Sequence, residues 1–300
     1  MIDNHKLSGF IERVEGDFRP ITADVFLTDY CNNKCSYCRF SHESGKYMSC
    51  SEFVKVAERL LELGVKGIIL TGGGEPTINP DFEKICRWLK ENKIAFGVNT
   101  NFNRMIVAEP KFLKVSLDEG NAEDYKRWRG VDAYRKVLTN IEQYAAAHPV
   151  VRVGVQCVTR TREQVLAFYD AVKDLGVSYI QFRPIEICGK QIDYTGIIAE
   201  VEKIAAKDNR IVKSYKFDFV DWAVERCWAN WAAITVQADG KVLYCCHRPD
   251  DVVGSIFDEY ILKKLQEYSP DMSKCEIPCR LTGANWYVCN YLNDGDRYFV

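Results

Sequence analysis

Residues 21–27, Ile21-Thr22-Ala23-Asp24-Val25-Phe26-Leu27, read as a β-strand, and shortly beyond them the chain enters Cys31-Asn32-Asn33-Lys34-Cys35-Ser36-Tyr37-Cys38. This strand, running straight into a thiol-rich loop, is the first of a series. Ser49-x-x-Glu52 forms a capping box that opens a helix with Val54, Ala57 and Leu61 on one face, and Gly64 closes it. Gly67-Ile68-Ile69-Leu70-Thr71 is a short buried strand, and Asn79-Pro80 starts a second helix whose inner face holds Ile85, Trp88 and Leu89. Further strands are expected at residues 95–98, 113–117, 150–155 and 179–183. Between the last two, Thr161-x-x-Gln164 opens a helix that ends near Gly176. Strands alternating with helices of this length predict a parallel sheet joined by right-handed crossovers. About six units are counted, fewer than the eight of a closed barrel, so the expected fold is α/β, a partial (β/α)6 TIM-like barrel.

The alternation stops after Ile211, where the chain becomes rich in Trp, Tyr and Cys. A boundary is therefore expected near Lys216, dividing a core of residues 1–215 from a small cysteine-rich C-terminal domain of residues 216–300. Within the latter, Ile234-Thr235-Val236-Gln237 and Val242-Leu243-Tyr244 read as a β-hairpin around Ala238-Asp239-Gly240-Lys241.

Composition narrows the function. The chain has 300 residues, 47% of them apolar, which is ample for a sizeable core, and a formal net charge of -2 that argues against duplex DNA or an anionic membrane as partner. No apolar run approaches the roughly 20 residues of a membrane span, and the first residues lack the apolar core of a signal peptide, so a cytoplasmic location is the default. Thirteen cysteines are many for such a chain. In a reducing compartment clustered thiolates bind soft metals or iron–sulfur clusters, whereas isolated ones such as Cys86 and Cys157 read as small buried hydrophobes.

Cys31, Cys35 and Cys38, in a C-x3-C-x2-C pattern on one loop, can converge on a single centre. A four-iron cluster with three protein ligands leaves one iron open to a small chelator. A zinc site is the alternative, with His42 as a fourth ligand. The triplet after a first strand resembles the radical S-adenosylmethionine (SAM) superfamily, and the resemblance covers nearly the whole chain. It implies that the open iron of a [4Fe-4S] cluster binds the methionyl group of SAM, and that reductive cleavage gives a 5′-deoxyadenosyl radical able to take hydrogen from unactivated carbon. Tyr37 would shield the cluster and pack against adenine. Gly73, Gly74 and Glu75 match the family's loop that holds the methionyl amine. Asn99, Ser116 and Asp118 match strand-end positions, the last two as a ribose- and carboxylate-facing pair. Arg129 matches the arginine that meets the methionyl carboxylate. An external electron donor of the flavodoxin or ferredoxin type is also implied.

In the tail, Cys227-x12-Gly240-x4-Cys245 resembles the opening of the twitch and SPASM auxiliary-cluster domains. The tail carries six cysteines and lacks the C-x2-C-x5-C-x3-C run of the full SPASM form, so a twitch-like domain with one auxiliary cluster, of the [4Fe-4S] type, is expected. Its ligands by resemblance are Cys227, Cys245, Cys275 and Cys279, with Cys289 in reserve and structural zinc as the alternative. Cys246 beside a ligand is either a packed hydrophobe or a hydrogen-atom donor of the kind some radical epimerases use. Gln181, Arg183 and Glu186 at the end of the sixth strand, with His247 and Arg248, are candidates for selecting substrate. The expected function is oxidation or epimerisation of a small polar molecule such as a sugar, cyclitol or nucleoside. Maturation of a peptide or protein side chain is a second possibility, and a zinc-bound interaction protein a third.

Overall fold

The computed structural model describes residues 19–40, 45–185, 192–219, 227–228, 233–275 and 285–286. Its centre is one sheet of ten strands in the order β10-β9-β8-β1-β2-β3-β4-β5-β6-β7. Strands β1 (Thr22–Phe26), β2 (Gly67–Thr71), β3 (Ala95–Thr100), β4 (Phe112–Ser116), β5 (Arg152–Thr159), β6 (Tyr179–Pro184) and β7 (Ile211–Lys213) pair in sequence and all in parallel. Parallel neighbours need a crossover rather than a hairpin. Helices α1 (Cys50–Glu62), α2 (Phe82–Glu91), α5 (Arg162–Val172) and α6 (Thr195–Ala205) supply four of them. Two steps depart from even alternation. The β3–β4 connection carries no helix, and β4–β5 carries two, α3 (Ala122–Arg129) and α4 (Tyr134–Ala147). The two ends of the strand order do not pair with one another among the described residues, so the barrel is open.

The capping signals act as read, but the buried face of α1 is Phe53, Val56, Ala57 and Leu60 rather than Val54, Ala57 and Leu61, and Leu61 is exposed. Ser49 caps α1, its hydroxyl accepting from Glu52 N while the Glu52 carboxylate accepts from Ser49 N at 2.8 Å. Thr161 caps α5 by accepting from Gln164 N at 3.1 Å. Strand bounds move by a few residues: β5 begins after Val150, which is exposed, and runs on to Thr159.

Alternation along each strand separates two faces. Val25, Leu70, Val98, Val115, Val155 and Phe182 point to one side and join the helices in the main core, with Cys86 and Cys157 buried there too. On the opposite face Phe26, Thr71, Val158 and Arg183 line a cavity at the carboxyl ends of the strands. Ligand sites in parallel α/β structures gather at that end.

The hairpin of the tail extends the same sheet. β8 (Ala233–Val236) lies parallel to β1, with Thr22 opposite Ala233 and Val25 opposite Val236, and β9 (Lys241–Leu243) returns antiparallel. β10 (Val252–Ser255) and α7 (Ile261–Glu267) follow. Arg59 of α1 reaches the carbonyls of Ile256 and Asp258, tying this part to the helical layer. No helix among the described residues is long and apolar enough to cross a membrane.

Candidate active site

The loop bearing Cys31, Cys35 and Cys38 follows β1 and is fixed from three sides. From β2, Gly74 N donates to Thr28 O at 3.0 Å and Glu75 N to Tyr30 O at 2.8 Å. The two backbones run so close that a Cβ on Gly74 would sit 1.8 Å from Tyr30 O, which explains why the loop after β2 is glycine here. From β3, Asn101 Nδ2 donates to Asn32 Oδ1 at 2.6 Å and Asn103 Nδ2 to Asn33 Oδ1 at 2.6 Å. From α3, the terminal carbonyls of Trp128 and Arg129 accept Ser36 N and Lys34 N, both at 3.0 Å. Such carbonyls have no partner within their own helix. Gly130 makes this docking possible: it ends α3 at φ 72° and a Cβ there would lie 2.4 Å from Lys34 O. Asn33, Asn101, Asn103 and Trp128 thus serve the site without having been singled out in the sequence. The repeated asparagines after β1 and β3 are the signal that marks three of them.

Cys31 and Cys35 are half-buried and Cys38 is exposed. Asn33 N donates to Cys31 Sγ at 3.4 Å. Burial pushes the Cys31 thiol up to about 12 and the Cys35 thiol in the same direction, and Cys35 feels the charges of Arg129 and Cys38. As free groups these two would stay protonated at neutral pH. Metal binding displaces thiol protons, so three soft sulfurs on one anchored loop suit an iron–sulfur cluster.

Beside them lies a buried polar knot. Arg129 Nη1 donates to Tyr37 Oη at 2.8 Å and to Asp118 Oδ2 at 2.9 Å, and Tyr37 also donates to Asp118. Asp118 adopts the left-handed region at φ 68°, held there by Asp118 N to Gln156 O at 2.9 Å and Val158 N to its Oδ1 at 3.0 Å. Glu75 is buried, and its carboxylate accepts from Thr77 N at 3.1 Å, Thr77 Oγ1 at 2.7 Å, Thr100 Oγ1 at 2.5 Å and Asn101 N at 2.7 Å. Burial raises its pKa, and those four donors oppose the rise. Three buried polar atoms here have no hydrogen-bond partner: the donors Arg129 Nε and Asn33 Nδ2, and the acceptor Asn99 Oδ1. A ligand carrying a carboxylate and an amine or hydroxyl groups supplies partners of both kinds. The residues present therefore fit SAM. Ser116 is half-buried at the end of β4, opposite Gln156. Gly73 faces the Phe40 ring and the Asp29 carboxylate.

The cavity has a volume of about 210 Å³. Tyr37, Cys38 and Gly72 line one part of it, Arg183 and Ile185 of the β6 end another, and Cys246 and His247 of the tail a third. The tail cysteines Cys227, Cys245 and Cys275 are half-buried. Each receives an N–H: Asn285 Nδ2 to Cys227 Sγ at 3.8 Å, His247 N to Cys245 Sγ at 3.4 Å, and Arg248 Nη1 to Cys275 Sγ at 3.7 Å. Glu186, His42, Cys279 and Cys289 lie outside the described residues.

An open parallel barrel with an anchored three-thiol loop at its carboxyl rim defines a class of enzyme that joins an iron–sulfur cluster to a nucleotide cofactor. The radical SAM superfamily model matches residues 25–182, and the chain belongs to that superfamily. It is a radical SAM enzyme, using SAM and a [4Fe-4S] cluster. A probable GTP 3′,8-cyclase of Saccharolobus islandicus is 28% identical over 279 residues, covering 83% of this chain and 89% of the relative. The same-named protein of Methanococcus maripaludis is 27% identical over 281 residues, covering 81% and 93%. Among solved structures, Streptococcus suis SuiB with its precursor peptide SuiA superposes with a TM-score of 0.64 at 13% identity, covering 81% of this chain. The chain spans 64% of the length of SuiB, and the likeness shows a shared fold.

Proposed function

We propose that this enzyme removes a hydrogen atom from a small hydroxyl-bearing molecule, of the sugar, cyclitol or nucleoside kind, and that Cys246 returns one from the other face, inverting that carbon. The observation that carries this reading is the position of Cys246: half-buried, in the wall of the cavity that also contains Cys38 and Tyr37. When bound, SAM and its cluster supply a carbon radical strong enough to break an unactivated C–H bond, and the protein orients the substrate and excludes water. Cys31, Cys35 and Cys38 hold the cluster. Gly73, Gly74 and the edge of Glu75 receive the methionyl amine, Arg129 its carboxylate, and Tyr37, Asn99, Ser116 and Asp118 complete the cofactor pocket. Arg183 and His247 in the cavity wall, and Glu186 just after β6, select the substrate. After it gives up a hydrogen atom, Cys246 is one electron and one proton short. An external flavodoxin- or ferredoxin-type donor and solvent restore them.

In the same reading the tail, residues 216–300, is a twitch-like unit attached to the core of residues 1–215. Cys227, Cys245, Cys275 and Cys279 hold its auxiliary [4Fe-4S] cluster, with Cys289 as the substitute. The N–H groups aimed at three of these sulfurs support this, because they favour thiolates over thiols.

A second reading is rearrangement of a purine nucleotide without a thiol donor. The names of the archaeal relatives favour it, and so do Arg39 and Arg183, which give the cavity cations beside His247 with no carboxylate among its described lining residues. Anaerobic turnover with SAM and dithionite in D2O separates the two. Wild type should give 5′-deoxyadenosine and an epimer carrying one solvent deuterium. Cys246→Ala should still give 5′-deoxyadenosine but no epimer. Full product formation by Cys246→Ala removes the thiol's role, and a cyclised nucleotide establishes the second reading.

A further inference from the structure

Two dipeptides meet at the carboxyl rim of the sheet: Asp118-Glu119 just beyond β4, and Trp128-Arg129 at the end of α3. One bridge between them is the buried pair Arg129–Asp118, Nη1 to Oδ2 at 2.9 Å. A second bridge runs one residue over and passes through Arg160, which follows β5. The Arg160 guanidinium donates to the Glu119 carboxylate through Nη2 and lies 3.9 Å from the centre of the Trp128 ring. Its Nη1 donates to Val158 O at 3.3 Å, and its backbone N donates to Gln164 Oε1 at 2.8 Å. The Gln164 amide in turn donates to Asp118 O at 2.8 Å. Both charged side chains are buried, Arg160 with 9% exposure and Glu119 with 3%.

A buried ion pair adds little net stability compared with apolar side chains of similar volume, because both charges lose their water. What a guanidinium adds is direction: it is planar, stacks on an aromatic face and pairs at its edge. Here it grips the carboxylate after β4 and the ring at the end of α3 together. A single bridge between two segments fixes their separation and leaves them free to rotate about it. Two bridges at successive residues fix the rotation as well. The group most sensitive to such rotation is Arg129, whose Nε is buried without a hydrogen-bond partner while Nη1 is committed to Tyr37 and Asp118.

We propose that Arg160 is a positioning residue of the cofactor pocket: by joining Glu119 to Trp128 it holds α3 at the angle from which Arg129 Nε meets the methionyl carboxylate of SAM. The proposal rests on the reading of Arg129 given above. Arg160 is not among the described residues that line the cavity, so it acts through α3 rather than by touching the cofactor.

The test is equilibrium dialysis of radiolabelled SAM against the anaerobically reconstituted full chain, without reductant, with iron content and melting temperature measured for every sample. At pH 8.5 Glu119 is ionised, since burial raises its pKa only to about 7. Arg160→Lys keeps a cation for Glu119 and loses the flat stack on Trp128. It should melt with wild type, hold as much iron, and bind SAM about tenfold more weakly, as when one charge-assisted hydrogen bond is pulled out of line. Arg160→Gln should weaken binding at least as much. Arg127→Gln is the control: Arg127 lies 5.8 Å from the centre of the same ring but is 69% exposed and pairs with Asp124, so affinity should not change. Unchanged affinity in Arg160→Lys, a loss that appears only with a lowered melting temperature, or an equal loss in Arg127→Gln overturns the proposal. Arg129→Lys separates it from the reading beneath it. If Arg129→Lys binds SAM as wild type does, the assignment of Arg129 falls and this proposal with it. If Arg129→Lys weakens binding and Arg160→Lys does not, Arg129 keeps its role and only Arg160 loses its own.

Discussion

Glu75 and Asp118 show how a motif residue can serve two masters. The sequence pattern assigns both to the cofactor, and the structure buries both among protein donors. Glu75 joins the end of β2 to Thr100 and Asn101 at the end of β3, so its removal unbinds two strand ends at once. Glu75→Ala leaves several buried donors unsatisfied and should cost roughly 3 kcal/mol or more, read by chemical denaturation. Glu75→Gln should recover part of that loss. Glu119, next to Asp118, is ion-paired with Arg160, yet burial pushes its pKa up to about 7. The unfolded carboxylate titrates near 4.3. Between about 4.3 and 7 the folded state therefore holds the extra proton, and this group's contribution makes stability fall as pH rises through that window. Glu119→Gln removes the contribution. The melting temperature of wild type relative to Glu119→Gln should decline from pH 5 to pH 7.5, and a constant difference would show that Glu119 ionises normally. The cysteine triplet is legible at this scale because thiol spacing is a local property of the chain. The orphaned atoms Arg129 Nε and Asn99 Oδ1 were not, since they are defined by what surrounds them in space.

Elements with strong local punctuation were legible, and those without it were not. The capping box of α1 appears in the sequence and in the structure at the same residues. Ser49→Ala should destabilise the protein by about 1 kcal/mol in a thermal or denaturant unfolding measurement. Helix α3, by contrast, is short and highly charged, Ala122-Glu-Asp-Tyr-Lys-Arg-Trp-Arg129, with only Tyr125 and Arg129 buried. It lacks an apolar stripe to announce it, so the sequence marks Arg129-Gly130 only by resemblance and not as a helix end. In the structure it ends a helix whose last carbonyls hold the cysteine loop. Gly130→Ala forces a side chain into a left-handed position against Lys34 O and should cost about 1–2 kcal/mol. It should also lower the iron recovered in the SAM-binding cluster. Normal iron content in that variant would mean that α3 does not support the loop. β10 escaped notice for a similar reason: four residues containing a glycine carry little period-2 pattern.

At the scale of the whole molecule, the parallel pattern of strands gave the open barrel, because buried parallel strands and the helices between them repeat at a readable period. The pairing of β8 with β1 could not be read that way. It joins Thr22 to Ala233, and nothing local in either strand specifies a neighbour so distant in the chain. Its consequence is spatial. By fixing the tail hairpin against β1, it places Cys246 and His247 beside the loop that β1 itself feeds. The proposed radical chemistry depends on one physical assertion: the sulfurs of Cys31, Cys35 and Cys38 hold a cluster with a free iron to which SAM binds. The most direct measurement is the electron paramagnetic resonance spectrum of the dithionite-reduced protein with and without SAM, in a variant whose tail cysteines 227, 245, 275, 279 and 289 are replaced by Ala. A single cluster signal that changes on adding SAM, and that vanishes when Cys35→Ala is added, is the predicted result. A signal indifferent to SAM, or one that survives Cys35→Ala, would contradict it.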